Sequence, residues 1–172
     1  ASTVSNLMGG FVTIYTRAFR IGDLISIGEK EYTGYVMKKT ILSTRIRTST
    51  NEIITIPNST LIAGMIVNYT ATLRDIKEPL ILHAKITLGY DVPWRQVHEV
   101  LITAAQLTTD ILADPSPIVW QKSLDDFYVS YELRASTLEI SKVGKIYSEM
   151  YQNILDQCNK NGIEILSPHY NA

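Results

Sequence analysis

The chain has 172 residues, 45% apolar and 19% charged, a balance that permits a buried core and excludes a disordered chain. A net charge of -1 and a pI near 6.3 exclude a broad basic footprint for nucleic acid, so any such patch has to be local. The single cysteine, Cys158, cannot close an internal disulfide.

Residues 1–20 read as a helix. Val4, Leu7, Met8, Phe11, Ile14, Tyr15 and Ala18 recur at helical spacing, with Ser5, Asn6, Thr13, Thr16 and Arg17 in other sectors, which predicts an amphipathic helix of about five turns. On periodicity alone, packing on its own domain is one of two readings of the stripe, which leaves the way it faces open. The longest apolar run, Leu7 to Tyr15, is far shorter than the roughly 20 residues a bilayer crossing takes. The start at Ala-Ser-Thr, without an initiator Met or a signal-peptide pattern, leads to the expectation that the natural chain continues upstream.

Gly22-Asp23 marks a turn, Leu24 to Ile27 a short strand ended by Gly28, and Tyr32 to Thr40 a second strand. From Ile41 the pattern alternates: Ile41, Ser43, Arg45, Arg47 and Ser49 on one side, and Leu42, Thr44, Ile46 and Thr48 on the other. The turn Ser49 to Glu52 leads into a β-branched strand, Ile53 to Ile56, which Pro57 ends. Asn58 and Ser59 are placed to cap a short helical turn through Ile62 before Gly64, and Met65 to Tyr69 forms a last strand. Five short strands over residues 21–71 predict a strongly bent sheet or partial barrel. Lys38, Lys39, Arg45 and Arg47 form a local basic cluster without interleaved aromatics, so no nucleic-acid partner is expected.

Thr72 to Glu78, polar and followed by Pro79, marks a boundary, with a second domain over residues 77–172. Leu80 to Tyr90 reads as a strand and Pro93 starts a helix with the stripe Val97, Val100, Leu101, Ala104, Leu107 and Ile111. Strands at Ile118 to Leu124 and Asp126 to Ala135 follow, then a helix from Glu139 to Lys160 capped by Gly162 and a short strand, Ile163 to Leu166. The order β, α, β, β, α, β is the split βαβ, ferredoxin-like pattern.

No constellation for catalysis emerges. His83, His98, His169 and Cys158 lack metal-ligand spacing, and each histidine reads as a surface or capped residue. The neighbours Asp125 and Asp126 point to opposite faces of an extended chain and shape a turn. Trp94 and Trp120 read as core or interface anchors, with a ligand pocket as the alternative. Neither an enzyme nor a cofactor nor a metal is expected.

The run STRIRTSTNEIITIPNSTLIAGMIVNY closely resembles the β-domain of the small-conductance mechanosensitive channel (MscS) family. In that family an arginine-bearing strand, a polar turn, an apolar strand, "IPN" and "I-x-G-x-I-x-N" recur in this order. The likeness extends back through Arg17 to Gly28 and forward to Gly162 to Tyr170. It implies an α+β chain: the amphipathic end of a pore-lining helix, an Sm-like five-stranded β-domain, and a ferredoxin-like vestibule domain. Ser5-Asn6-Leu7, Gly10 and Arg17-Ala18-Phe19-Arg20 match the pore-helix segment, with Ala18 where proline is common in relatives.

The resemblance further implies a tension-gated channel that releases ions and small solutes on hypo-osmotic stress. It sits in the inner membrane through upstream helices, with this region facing the cytoplasm, as a homo-oligomer, by family habit a heptamer. On that footing Asn6, Gly9 and Gly10 tune helix packing and gating, Arg17 and Arg20 meet the membrane interface, and Arg45 and Arg47 make subunit or vestibule contacts. The competing expectation is a soluble oligomeric module that senses a small ligand.

Overall fold

The computed structural model describes residues 2–15, 18–28 and 32–165; Arg17, Leu166 and His169 fall outside them. The chain divides into two compact units, Ala1–Glu78 and Pro79–Ala172.

In the first unit, helix α1 (Ser2–Tyr15) precedes strands β1 (Leu24–Ile27), β2 (Tyr32–Lys39), β3 (Ser43–Arg47) and β4 (Ile53–Pro57). Helix α2 (Asn58–Ala63) and strand β5 (Ile66–Asn68) follow, and a single turn, α3 (Tyr69–Ala71), runs into a π-helical turn at Thr72–Ile76. The strands form one antiparallel sheet in the order β4-β3-β2-β1-β5, as the short β-branched runs predict. Its core holds Phe19, Ile25, Ile27, Val36, Ile46, Ile56 and Leu61. Along β3 the alternation holds: Thr44 and Ile46 are buried, while Arg45 and Arg47 face outward.

Two expectations change. Helix α1 has 14 described residues, about four turns, and Ala18 is not helical. Strand β3 begins at Ser43, not Ile41, because Thr40 and Ser43 close a turn between them. The Thr40 N–H donates to the Ser43 carbonyl (2.8 Å), and the Ser43 N–H to Thr40 Oγ1 (3.0 Å).

The second unit runs β6 (Leu80–Leu88), α4 (Trp94–Gln106), β7 (Ile118–Leu124), β8 (Val129–Thr137), a 3-10 turn (Ile140–Lys142) and α5 (Val143–Lys160). The sheet order is β6-β8-β7, all antiparallel, and a bridge from Leu88 to Ile165 puts the returning chain on the free edge of β6. That is the split βαβ arrangement, with Ala84, Leu88, Leu101, Leu133, Met150 and Ile154 among the residues of its core.

Helix α5 ends in a Schellman motif: Gly162 is left-handed (φ 67), and the Ile163 N–H reaches the Cys158 carbonyl at 2.9 Å. Leu107, expected in the α4 stripe, lies just past the helix end and is exposed. β8 starts at Val129, not Asp126, because the Asp125 N–H closes the hairpin on the Tyr128 carbonyl, leaving Phe127 83% exposed at its tip.

Candidate functional site

Helix α1 carries no charged residue, and its inward face is small and polar. Gly9 and Gly10 are buried, whereas Val4, Leu7, Met8, Phe11 and Val12 are exposed, Phe11 by 68%. The apolar stripe that periodicity finds therefore points away from the helix's own unit. A Cβ on Gly10 would lie 2.1 Å from the Ile41 carbonyl oxygen, and one on Gly9 2.8 Å from the Asn58 carbonyl. Only glycine permits this approach to backbone.

Asn58 ties that surface together. Its side chain is fully buried; Nδ2 donates to the carbonyls of Thr40 and Ile41, each at 2.9 Å, and Oδ1 accepts from Thr44 Oγ1 at 3.0 Å. It thus locks the β2–β3 turn that presents the Ile41 carbonyl to Gly10. The expected capping role of Asn58 does not hold, since its side chain is committed to that turn. Helix α2 has no side-chain cap from its own N-cap residue, Pro57; instead the Ser59 N–H donates to Asn6 Oδ1 of α1 at 3.1 Å. Asn6, Gly9 and Gly10 therefore lie together on one docking face.

A second polar cluster forms where the chain leaves α1. Arg20, Ile21, Gly22 and Asp23 make a turn closed by the Asp23 N–H on the Arg20 carbonyl (3.1 Å), with Gly22 at φ 92 as such a turn requires. The Asp23 side chain, 3% exposed, accepts from the Arg20 N–H (2.9 Å), from Asn68 Nδ2 (2.8 Å) and from Arg74 Nη1. Arg74 also grips Asp75 bidentately, Nε and Nη2 each at 2.9 Å, a hydrogen bond that holds the Asp75 carboxyl below the usual range. Lys39 donates to the Phe19 carbonyl (3.0 Å) and lies over the Phe19 ring; burial pulls its pKa down.

Of the arginines singled out in the sequence, Arg17 lies outside the described residues. Arg20 is half exposed and meets Asp75 at 3.7 Å. Arg45 and Arg47 are exposed, Arg45 standing opposite Lys38 across the sheet, and among the described residues neither has an acidic group within 4.0 Å. Asp23 and Arg74 escaped the sequence reading: the first was legible only as a turn residue, the second only as one charge in a polar linker.

The second unit offers no convergent chemistry among its described residues, and no group of three metal-ligating side chains occurs there. His98 is half-buried. It lies edge-on between Trp94 and Tyr131, its Nε2 has no partner, and burial pushes its pKa down. Arg134 covers the Trp120 ring at 3.6 Å, and Asp125 closes its hairpin by accepting from Ser123 Oγ (2.7 Å). A cleft of about 710 Å³ lined by Lys85, Thr87, Ser123, Tyr151 and Leu155 contains neither tryptophan.

Comparison with known proteins meets both units in order. The mechanosensitive ion channel β-domain profile matches residues 2–71, and the mechanosensitive ion channel MscS C-terminal profile matches residues 82–165. These define the class, a region of a mechanosensitive ion channel. The chain belongs to the MscS family.

The miniconductance mechanosensitive channel MscM of Escherichia coli is 26% identical over 166 residues, 96% of this chain and 14% of that protein. The small-conductance mechanosensitive channel of Edwardsiella ictaluri is 31% identical over 65% of this chain and 37% of its own length. The closed-state crystal structure of Helicobacter pylori MscS superposes with a TM-score of 0.77 at 19% identity, covering 99% of this chain and 65% of that one, which supports the fold. The chain spans only 14% of the length of the E. coli channels MscM and MscK. No described helix is long and apolar enough to cross a membrane.

Proposed function

We propose that this chain is the cytoplasmic portion of a tension-gated channel, attached through α1 to membrane helices upstream and assembled as a homo-oligomer, a heptamer by family resemblance. The observation that carries the reading is the inverted helix: α1 docks its glycines on the β-domain and turns an uncharged apolar stripe outward. In a chain of this family, that stripe is the continuation of a pore-lining helix, facing lipid, pore or neighbouring helices. Asn6, Gly9 and Gly10 set the docking, Arg17 and Arg20 meet the anionic inner surface of the membrane, and Arg45 and Arg47 make subunit or vestibule contacts.

Tension does work on such a protein only if its open and closed states differ in membrane area, so the β-domain serves as the fixed seat against which the helix moves. Ions and small solutes then pass on hypo-osmotic stress. Expression of the full-length protein in channel-deficient cells, followed by patch recording under suction, tests this. Tension-gated current is expected; its absence in membrane-inserted protein overturns the reading. The small-ligand alternative rests on the cleft beside β6, where Lys85, Ser123, Asp125 and Ser130 stand among Ile86, Ile154, Leu155 and Ile165; it leaves the outward stripe of α1 unaccounted for.

A further inference from the structure

We propose that Asp23, Asn68 and Arg74 form a clasp that fastens the exit of α1 to the segment leading out of the β-domain, so that the two are held or released together. The inference deepens the channel reading, because it assigns positioning residues to the path between the helix and the chain that continues into the second unit.

Two successive segments of the outgoing chain and the turn after α1, 45 or more residues earlier, converge on one carboxylate. Arg20 and Asp23 belong to the turn after α1, Asn68 ends β5, and Arg74 sits in the π-helical turn Thr72–Ile76. Asn68 uses both ends of its amide. Nδ2 donates to the Ala18 carbonyl (3.1 Å) and to Asp23 Oδ2 (2.8 Å), while Oδ1 accepts the N–H groups of Thr70 (3.1 Å) and Ala71 (3.0 Å) and so starts the turn that carries Arg74. One side chain therefore binds the helix exit and initiates the outgoing segment. Arg74 completes the circuit with a forked grip on Asp23 and Asp75, and Arg20 approaches Asp75 from the exit side.

A plain apolar contact would hold these segments over a range of positions. A charge as buried as Asp23 does not tolerate such a range: any displacement that strands it without its donors leaves an uncompensated ion in a low-dielectric place. The contact is therefore all or none, as a clasp must be. Lys39, which pins the Phe19 carbonyl from β2, supplies the fixed side.

Hydrogen exchange on the full-length protein in lipid nanodiscs tests the coupling. In Arg74→Ala, the amides of Arg20, Thr70 and Ala71 are expected to exchange at least tenfold faster together, with the β3 amide of Ile46 unchanged. Arg74→Lys, which keeps the charge without the fork, is expected to fall between this variant and the wild type and serves if the alanine variant does not fold. Acceleration confined to residues 72–76, with Arg20 unchanged, overturns the proposal; so does uniform acceleration that includes Ile46. In patches, Asp23→Asn and Arg74→Ala are expected to shift the tension midpoint in the same direction, and the double variant no further than the larger single shift. Additive or opposite shifts also overturn it. A wild type without current sinks the channel reading, and the exchange experiment then decides the clasp by itself.

Discussion

Adding one methyl group at Gly10 sets two known effects against each other. Within a helix, Gly→Ala favours the helical state by about 1 kcal/mol, so α1 taken alone becomes more stable. At the dock, the new Cβ would lie 2.1 Å from the Ile41 carbonyl oxygen, where real Cβ atoms keep at least 3.0 Å. The turn cannot yield, because Asn58 fastens the carbonyls of Thr40 and Ile41 from below. The helix has to retreat by about 1 Å, since close-packed backbone offers no slack.

Overpacking of this kind costs about 1–3 kcal/mol, and the strained bond from Ser59 to Asn6 adds to the loss. Gly10→Ala is therefore expected to undock α1 without unwinding it. Helical content by circular dichroism stays level or rises, while exchange of the Ser59 amide rises roughly five- to 150-fold. Gly9→Ala, whose Cβ would meet Asn58 at 2.8 Å, is expected to act in the same direction but less. Unchanged Ser59 exchange in Gly10→Ala would refute the reasoning, because it would mean that the glycine contact does not limit docking.

Further expectations follow from the same geometry. Asn58→Ala strips partners from Thr44 Oγ1 and from two turn carbonyls, so denaturant unfolding of the β-domain is expected to show a loss of about 2–4 kcal/mol, against well under 1 kcal/mol for the exposed Thr60→Ala. In the second unit a hydrogen bond from Arg134, helped by the charges of Lys122, Arg134 and His83, holds the buried Glu132 carboxyl below its usual range against the opposing effect of burial. The folded pKa is thus depressed, and the stability it confers is present above the unfolded value near 4.3 and lost as pH falls through the folded pKa. Glu132→Gln is expected to flatten that acid-side loss in pH-dependent melts and to cost about 1.5–3 kcal/mol at neutral pH. Burial raises the Cys158 thiol pKa, so maleimide labelling at pH 7 is expected to be slow in the native chain and fast in denaturant; rapid native labelling would contradict its burial on the core face of α5.

The order of elements was legible because each rests on a local pattern: β-branched alternation at Ser43–Arg47, Pro57 ending β4, the stripe Met150, Ile154 and Cys158, and Gly162 beyond α5. Boundaries slipped where side chains compete with backbone pairing. Thr40 and Ser43 took two residues from β3, and the closure of Asp125 on Tyr128 delayed β8. The docking residues Asn6, Gly9 and Gly10 could be singled out, but not what they touch, since Ser59 is 53 positions from Asn6 in the chain.

The sequence by itself determined that this is a two-part α+β chain of the MscS family, because periodicity, turn residues and the IPN run are properties of neighbours along the chain. Tertiary structure alone decided which face of α1 is buried. Period 3.6 defines an apolar stripe without saying whether it turns inward or outward, and only the approach of Gly10 to the Ile41 carbonyl settles that it turns outward. Tertiary structure also decided that Asp23 and Arg74 belong together. Nothing local marks a pair 51 residues apart, and its partnership exists only once the sheet brings a turn and a linker to the same point.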